Sequence, residues 1–291
     1  MEDRVAYQGE PGAYSEEAVR LLFGPEMAVL PCRTLRDVFD AVIAQRAAGA
    51  VVPIENSLAG SINETYDLLL ASPLTITAEA VVDVDHCLMA LPGQVLPDIA
   101  RVISHPQALA QCHEFLHELG VEAMAVHDTA GGARMIREGR LEGYAAIASR
   151  RAAELYQLEI LKSSIQTHPA NQTRFYAVHP HPAPAGGESC KTVLVFTTEH
   201  RPGALHRSLG VLAARGINLL KLESRPVPCK PWEYLFYLDI QGHAEDMAVS
   251  AALEELAQCT VFLRVLGSFP KWPSASACRG QAMGACLRNN G

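Results

Sequence analysis

Polar and glycine residues gather in five short segments between residues 4 and 178. These are Tyr7-Gln8-Gly9-Glu10-Pro11-Gly12-Ala13-Tyr14-Ser15, Pro53-Ile54-Glu55-Asn56-Ser57-Leu58-Ala59-Gly60-Ser61, Ser104-His105-Pro106-Gln107-Ala108, Asp128-Thr129-Ala130-Gly131-Gly132-Ala133 and Asn171-Gln172-Thr173-Arg174-Phe175. Each lies where a strand-like run ends, the place where α/β folds usually hold their ligands. Several also precede helical stretches, whose exposed N–H groups and dipole favour an anion. The chemistry implied is the binding of a small, negatively charged molecule. Any one segment alone reads as a turn with a capping residue; the reading rests on their combination.

The elements that must position these segments follow from hydrophobic periodicity. Short β-branched runs at Val5–Gln8, Met27–Cys32, Ala50–Ile54, Leu74–Val84, Arg101–Ser104, Val121–Val126 and Tyr144–Ala148 alternate with amphipathic stretches. This order predicts parallel sheets covered by helices. Ser15, followed by Glu16 and Glu17, is a predicted helix N-cap, and Ser61-Ile62-Asn63-Glu64 fits a capping box. The linker-like segment 179–191 holds several prolines and glycines, which stop both helix and strand. Beyond it the pattern becomes strand Thr192–Thr198, helix Gly203–Arg215, strands Ile217–Pro226 and Glu233–Ile240, helix Ala244–Ala257 and strand Val261–Leu266. That order is βαββαβ, a ferredoxin-like unit. Leu205, Leu209 and Leu212 recur at helical spacing, so one helix face should lie on a sheet. The tail 270–291 has no clear period and is expected to be poorly ordered.

Bulk properties narrow the class. With 49% hydrophobic and 19% charged residues, the chain has enough apolar side chain for two cored domains. A formal charge of −8 with interspersed signs argues against nucleic acid, which needs a clustered basic face. No apolar run approaches the roughly 18 residues that cross a bilayer. Met1-Glu2-Asp3-Arg4 runs straight into Val5-Ala6-Tyr7 without a signal or transit pattern, so a cytoplasmic location is expected. The cysteines at 32, 87, 112, 190, 229, 259, 278 and 286 form no Cys-x-x-Cys pair and read as free thiols. Neither a Walker loop nor Gly-x-Gly-x-x-Gly is present, so no nucleotide or nicotinamide cofactor is implied. His113-Glu114-Phe115-Leu116-His117 matches the zinc-protease pattern on a predicted helix, Gln107–Leu119. A catalytic zinc needs a third ligand that nothing nearby supplies, so a metal is not expected.

In order and spacing the five segments resemble the motifs of prephenate dehydratases. Asn171-Gln172-Thr173-Arg174-Phe175 is similar to the family's Thr-Arg-Phe signature, and residues 52–66 to its Pro-Ile-Glu-Asn-Ser segment. The resemblance covers residues 4–178 and implies an α/β catalytic region of two lobes, folded like a periplasmic binding protein with the site in the cleft. Lobe 1 would comprise about 4–80 and 163–178, and lobe 2 about 81–162. It implies Thr173 as the general acid for departure of the ring hydroxyl. Glu55, Asn56, Ser57, Ser61, Ser104, Gln107, Thr129, Ala130, Asn171, Arg174 and Phe175 would surround prephenate. Arg174 could hold the pyruvyl carboxylate bidentately. The carboxylate that leaves should not be tightly paired, since ground-state stabilisation raises the barrier.

Residues 192–269 resemble an ACT domain, a βαββαβ module that binds amino acids at subunit interfaces. Arg201-Pro202-Gly203-Ala204-Leu205 and Glu223-Ser224-Arg225-Pro226 look like the motifs of its phenylalanine site. With Asn218 these name Gly203, Ala204, Leu205, Asn218, Glu223, Ser224, Arg225 and Pro226 as regulatory contacts. His206 departs from the motif, which usually continues with Val. ACT modules usually pair, which implies a homodimer or homotetramer regulated by L-phenylalanine. Two rival readings remain open: arogenate as substrate, and a non-enzymatic sensor of amino acids or small anions.

Overall fold

The computed structural model describes residues 4–184, 189–227, 230 and 232–272. Contacts divide the chain into two units. Of the described residues, one holds those up to Leu68 together with Ala80–Tyr176, and the other holds Leu69–Glu79 with those from Ala177 to Trp272.

The chain opens with β1 (Val5–Gln8), α1 (Tyr14–Phe23), β2 (Val29–Cys32), α2 (Leu35–Ile43), β3 (Gly49–Asn56), β4 (Gly60–Ser61), α3 (Asn63–Ala71) and β5 (Thr75–Asp83). Helices α1 and α2 bury apolar stripes, Ala18, Val19 and Leu22 on one and Val38, Phe39 and Val42 on the other. At the start of α2, Thr34 Oγ1 accepts from Asp37 N–H while the Asp37 carboxylate accepts from Thr34 N–H. With β11 (Gln172–His179), the strands form a sheet in the order β2-β1-β3-β11-β5, with β4 paired to β3.

The second sheet comes from β6 (Cys87–Ala90), β7 (Arg101–Ser104), α4 (Pro106–Gln111), α5 (His113–Leu119), β8 (Glu122–Ala125), α6 (Thr129–Gly139), β9 (Tyr144–Ala148), α7 (Arg150–Tyr156) and β10 (Glu159–Lys162). Its order is β10-β6-β9-β7-β8. The two sheets, with their helices, make a pair of α/β lobes. Gly12 shows how closely they approach: its φ is +90°, and a Cβ there would lie 2.9 Å from Ala152 Cα. The Ser149 hydroxyl donates to Gly12 O at 2.7 Å.

In the second unit, β12 (Cys190–Thr197), α8 (Ala204–Ala214), β13 (Leu219–Pro226), β14 (Tyr234–Gln241), α9 (Met247–Cys259) and β15 (Phe262–Pro270) form βαββαβ. The sheet order is β13-β14-β12-β15, with antiparallel pairs throughout. Leu212, Val249 and Leu256 pack on Leu194, Phe196 and Leu238, with Leu205 and Leu209 at the margin. The leading half of β5 is stitched to this sheet. Arg264 donates to Leu70 O (2.7 Å) and Ser72 O (2.6 Å), and Thr75 Oγ1 donates to Leu266 O (3.0 Å). Lys191 Nζ lies 2.6 Å from Glu79 and 2.8 Å from Asp239, all three buried. Gly267 passes so close to β5 that a Cβ would fall 2.1 Å from Ile76 O.

Several expectations need correction. The second lobe's sheet is mixed, because only β7, β8 and β9, joined through helices, are parallel. Strands β6 and β10, which carry the chain into and out of the lobe, run antiparallel to their neighbours. The sequence reading missed both. Helix α1 starts at Tyr14 with Ala13 as N-cap, so Ser15 lies inside it. There Glu16 serves the helix start by accepting from Gly12 N–H at 2.6 Å. Burial opposes its ionisation, yet that bond and those from Arg20 and Arg151 hold its carboxyl below the usual range. Ser61 is in β4, paired with Glu55, and α3 begins only at Asn63, so Ser61 is not its N-cap. The expected helix Gln107–Leu119 is two helices broken at Cys112 (φ −109°, ψ 17°). The break lets adjacent residues both turn inward, Gln111 to a polar cluster and Cys112 to the apolar core. The last strand runs on to Pro270 because it pairs with β12 as far as Cys190.

Cys32, Cys87, Cys112, Cys190 and Cys259 are free thiols, and burial pushes Cys112 up to about 12. Cys229, Cys278 and Cys286 lie outside the described residues, as do 185–188 of the linker segment and 273–291 of the tail. Among the described residues no helix is long and apolar enough to cross a membrane.

Candidate active site

A group of convergent polar side chains lies within the first unit. Asn56 ends β3, Asn171 and Thr173 stand at the start of β11, and Gln111 ends α4. Asn56 Oδ1 accepts from Leu58 N–H (3.1 Å) and Ala59 N–H (2.9 Å), which assigns the orientation of its amide. Its Nδ2 therefore donates, its two hydrogens shared among Asn171 Oδ1 (2.8 Å), Gln172 O (3.1 Å) and Thr173 Oγ1 (3.0 Å). Asn171 Nδ2 donates to Gln111 Oε1 at 2.9 Å, and Gln111 Nε2 donates back to Asn56 Oδ1 at 3.3 Å. Asn56, Asn171 and Thr173 are 4%, 2% and 9% exposed, so this is a dry cluster in which each bond is strong. Thr173 accepts from Asn56 and, among the described residues, donates to none.

The pleat of β11 sorts the signature residues. Thr173 and Phe175 share one face, while Arg174 points to the other. Arg174 there lies 3.7 Å from Glu55, which alternates with Asn56 in the same way along β3. Phe175 is 2% exposed and belongs to the core. Ser57 Oγ is engaged with Ala170 O and Gln172 N–H, and fully buried Ser104 donates to Ile147 O at 2.6 Å. Gln107 is exposed in the first turn of α4, where its N–H donates to His105 Nδ1. Thr129 and Ala130 open α6, capped by Asp128, whose Oδ1 accepts from Gly131 N–H.

A cleft of about 450 Å³ lies between the ends of β1 and β2 and the start of α6, lined by Glu10, Arg33, His127, Asp128 and Arg134 among others. Arg134 reaches across it to Glu10 at 3.1 Å. Thr173 and Asn56 do not line it. The cleft beside α6 thus carries two arginines and two carboxylates, while the buried polar groups converge at Thr173. Sequence reading missed Gln111, Arg33 and Arg134. Gln111 stands four residues after Gln107 in the same helix, and its amide meets Asn56 and Asn171 while Gln107 stays exposed.

In the second unit, Gly203 is the left-handed N-cap of α8 (φ 76°), ahead of Ala204 and Leu205. Glu223, Ser224, Arg225 and Pro226 lie on the sheet-edge strand β13, and Asn218 O accepts from Gln241 N–H. Within one chain β14 separates β13 from β12, so the two motifs are not on neighbouring strands. His113 and His117 are exposed on α5, and among the described residues no three His, Cys, Asp or Glu side chains are grouped to hold a metal.

The sequence matches the prephenate dehydratase family over residues 5–183 and the ACT domain over residues 192–258. It is 44% identical over 277 residues to "Arogenate dehydratase/prephenate dehydratase 2, chloroplastic" of Arabidopsis thaliana, covering 92% of this chain and 72% of that protein. A solved structure described as prephenate dehydratase in complex with L-Phe, from Arthrobacter aurescens, superposes with a TM-score of 0.84 at 32% identity, covering 93% of this chain and 92% of the other. Another, described as GqqA, a novel type of quorum quenching acylase, gives a TM-score of 0.85 at 39% identity, covering 93% and 98%. Several Arabidopsis thaliana relatives are described as chloroplastic, which overturns the cytoplasmic placement expected from the first residues. A compartment is written in targeting segments, and the residues of a folded catalytic region do not report it.

Proposed function

We propose that this chain, which belongs to the prephenate dehydratase family and is a lyase with an ACT domain, converts prephenate to phenylpyruvate with Thr173 as the acid. The observation that carries the assignment is the direction of one hydrogen bond. Asn56 Nδ2 donates to Thr173 Oγ1, so the threonine proton is left for a substrate. As the C1–carboxylate bond breaks, its electron pair enters the ring, the C4–O bond breaks, and the departing hydroxyl takes the proton to leave as water. Carbon dioxide and an aromatic ring remain, and no redox equivalent is needed. The oxygen left on Thr173 carries negative charge, and the Asn56 N–H is already in place to stabilise it. This supplies the tuning that a threonine hydroxyl requires to act as an acid.

The start of α6, with Thr129 and Ala130, and the cleft arginines Arg33 and Arg134 are suited to the pyruvyl carboxylate. The lobes are assigned as 4–80 with 163–178, and 81–162; the ACT domain as 192–269. Glu55 and Arg174 act as a pair that aligns β3 with β11. An ACT domain at Gly203–Leu205, Asn218 and Glu223–Pro226 that binds L-phenylalanine is supported by the relative solved with that amino acid, and pairing of ACT domains would make a homo-oligomer.

Arogenate is the second reading, favoured by the names of the plant relatives. Acylase chemistry is not supported at this site. It needs a nucleophile beside a base, and the partner of Thr173 Oγ1 is an amide donor. The test is incubation with prephenate and separately with arogenate, following phenylpyruvate or phenylalanine, with Thr173→Ala as control. Turnover lost in the variant supports the assignment; retained turnover removes Thr173 from it. Unchanged rates in excess phenylalanine would remove the regulatory part.

A further inference from the structure

Asn56, Asn171 and Gln111 form a closed ring of three amides, each donating to the next. Such a ring can run in either sense, because every amide carries both a donor and an acceptor. The sense matters to Thr173. As assigned, Asn56 presents Nδ2 and Thr173 accepts. With the ring reversed, Asn56 would present Oδ1, and the Thr173 hydroxyl would have to spend its proton on it.

Besides the Gln172 carbonyl, which can only accept from Asn56 Nδ2, two anchors outside the ring select the sense. One is the pair of N–H groups of Leu58 and Ala59 at Asn56 Oδ1. The other is His86, whose Nε2 lies 2.9 Å from Gln111 Oε1. Gln111 Oε1 can only accept, so His86 must carry its proton on Nε2; an imidazole protonated on Nδ1 alone would instead face Gln111 with a lone pair and favour reversal. On its far side Nδ1 lies 3.1 Å from the Tyr14 hydroxyl, whose single proton goes to Asp85 O (2.8 Å) when Nδ1 carries a proton and must turn to Nδ1 when His86 is protonated on Nε2. The histidine is 2% exposed and held by its backbone: its N–H donates to Gln166 Oε1 and its carbonyl accepts from Ile165 N–H.

We propose that His86 is a positioning residue for the dehydration. Held as the Nε2–H tautomer, it sets the sense of the Asn56–Asn171–Gln111 ring and so keeps the Thr173 proton available to substrate. The proposal rests on Thr173 being the acid. It predicts that His86→Leu, which removes the donor, lowers kcat about 10- to 100-fold with KM changed less than about twofold, as for a misoriented reacting group. His86→Gln, which can donate from its own amide to Gln111, should recover most of kcat. A merely structural role would instead lower the folded fraction and leave kcat per active site unchanged.

The experiment is steady-state kinetics of the full chain and these two variants with prephenate and arogenate, alongside Thr173→Ala. Nitrogen-15 NMR of histidine-labelled wild type reads the tautomer without depending on turnover. A His86 Nε2–H tautomer with the predicted kcat pattern supports the proposal. An Nδ1–H tautomer overturns it, as does unchanged kcat in His86→Leu or equal loss in both variants. If Thr173→Ala stays active, the acid assignment fails instead, and the tautomer still decides whether the ring has the sense described.

Discussion

Replacing Lys191 by Met should destabilise the ACT-containing unit in a way that depends on pH. The ammonium lies between Glu79 (2.6 Å) and Asp239 (2.8 Å), and all three groups are buried. Methionine keeps most of the volume but leaves two carboxylates together without a cation. One must then take up a proton, and for an ordinary carboxyl that costs about 3.7 kcal/mol at pH 7. This agrees with the roughly 3–5 kcal/mol found when one partner of a buried pair is removed. The folded variant would hold about one proton more than its unfolded chain. Relative to wild type it therefore regains about 1.4 kcal/mol for each pH unit that the pH falls, down to about pH 4.3. Urea unfolding at pH 7 and pH 5 measures this. Trp272, whose backbone N–H donates to Glu79, is a suitable fluorescent reporter. A deficit below about 1 kcal/mol at pH 7, or one that does not shrink by pH 5, would refute the reasoning.

Asn56→Asp replaces the donor to Thr173 by an acceptor of the same size, and kcat should fall about 100- to 1000-fold with the fold intact by circular dichroism. Gly12→Ala meets both a φ of +90° and the Ala152 backbone, whereas Gly24→Ala meets a φ of +92° in open space. Urea midpoints should show the first losing about 1–3 kcal/mol more than the second. Burial pushes Glu17 up to about 7, against the Ser149 hydrogen bond and the Arg151 charge. Folded Glu17 thus keeps its proton to higher pH than the unfolded chain, and wild type loses stability as pH rises from about 4.5 to 7. Glu17→Gln should be about 1–3 kcal/mol more stable than wild type at pH 8 and show no gain at pH 4, read from urea midpoints.

The alternation of strand and helix was legible because it rests on hydrophobic period, which local residues carry. Val5–Gln8, Arg101–Ser104 and Tyr144–Ala148 are strands with the expected bounds. Strands β6 and β10, no shorter than Val5–Gln8, escaped because Cys87–Ala90 and Glu159–Lys162 owe their state to each other across the sheet. Thr173 and Asn56 could be singled out from their segments. Gln111 and His86 could not, since their place in the cluster depends on a helix break at Cys112 and on a lobe crossing that no local pattern encodes. The side on which Arg174 falls follows from the pleat once β11 is known, and a motif read as a word does not contain it.

Strand β5 belongs to both units, its residues up to Glu79 to one and those from Ala80 to the other. A protease or an engineered stop codon near residue 184 would remove β12 and β15, yet the segment from Leu70 to Glu79 would remain with its stitching cut. Two carbonyls would lose Arg264, and Glu79 would lose Lys191. Excising the ACT domain should therefore yield a damaged catalyst rather than an intact one. Recombination between relatives would succeed best when residues 69–79 travel with the C-terminal part.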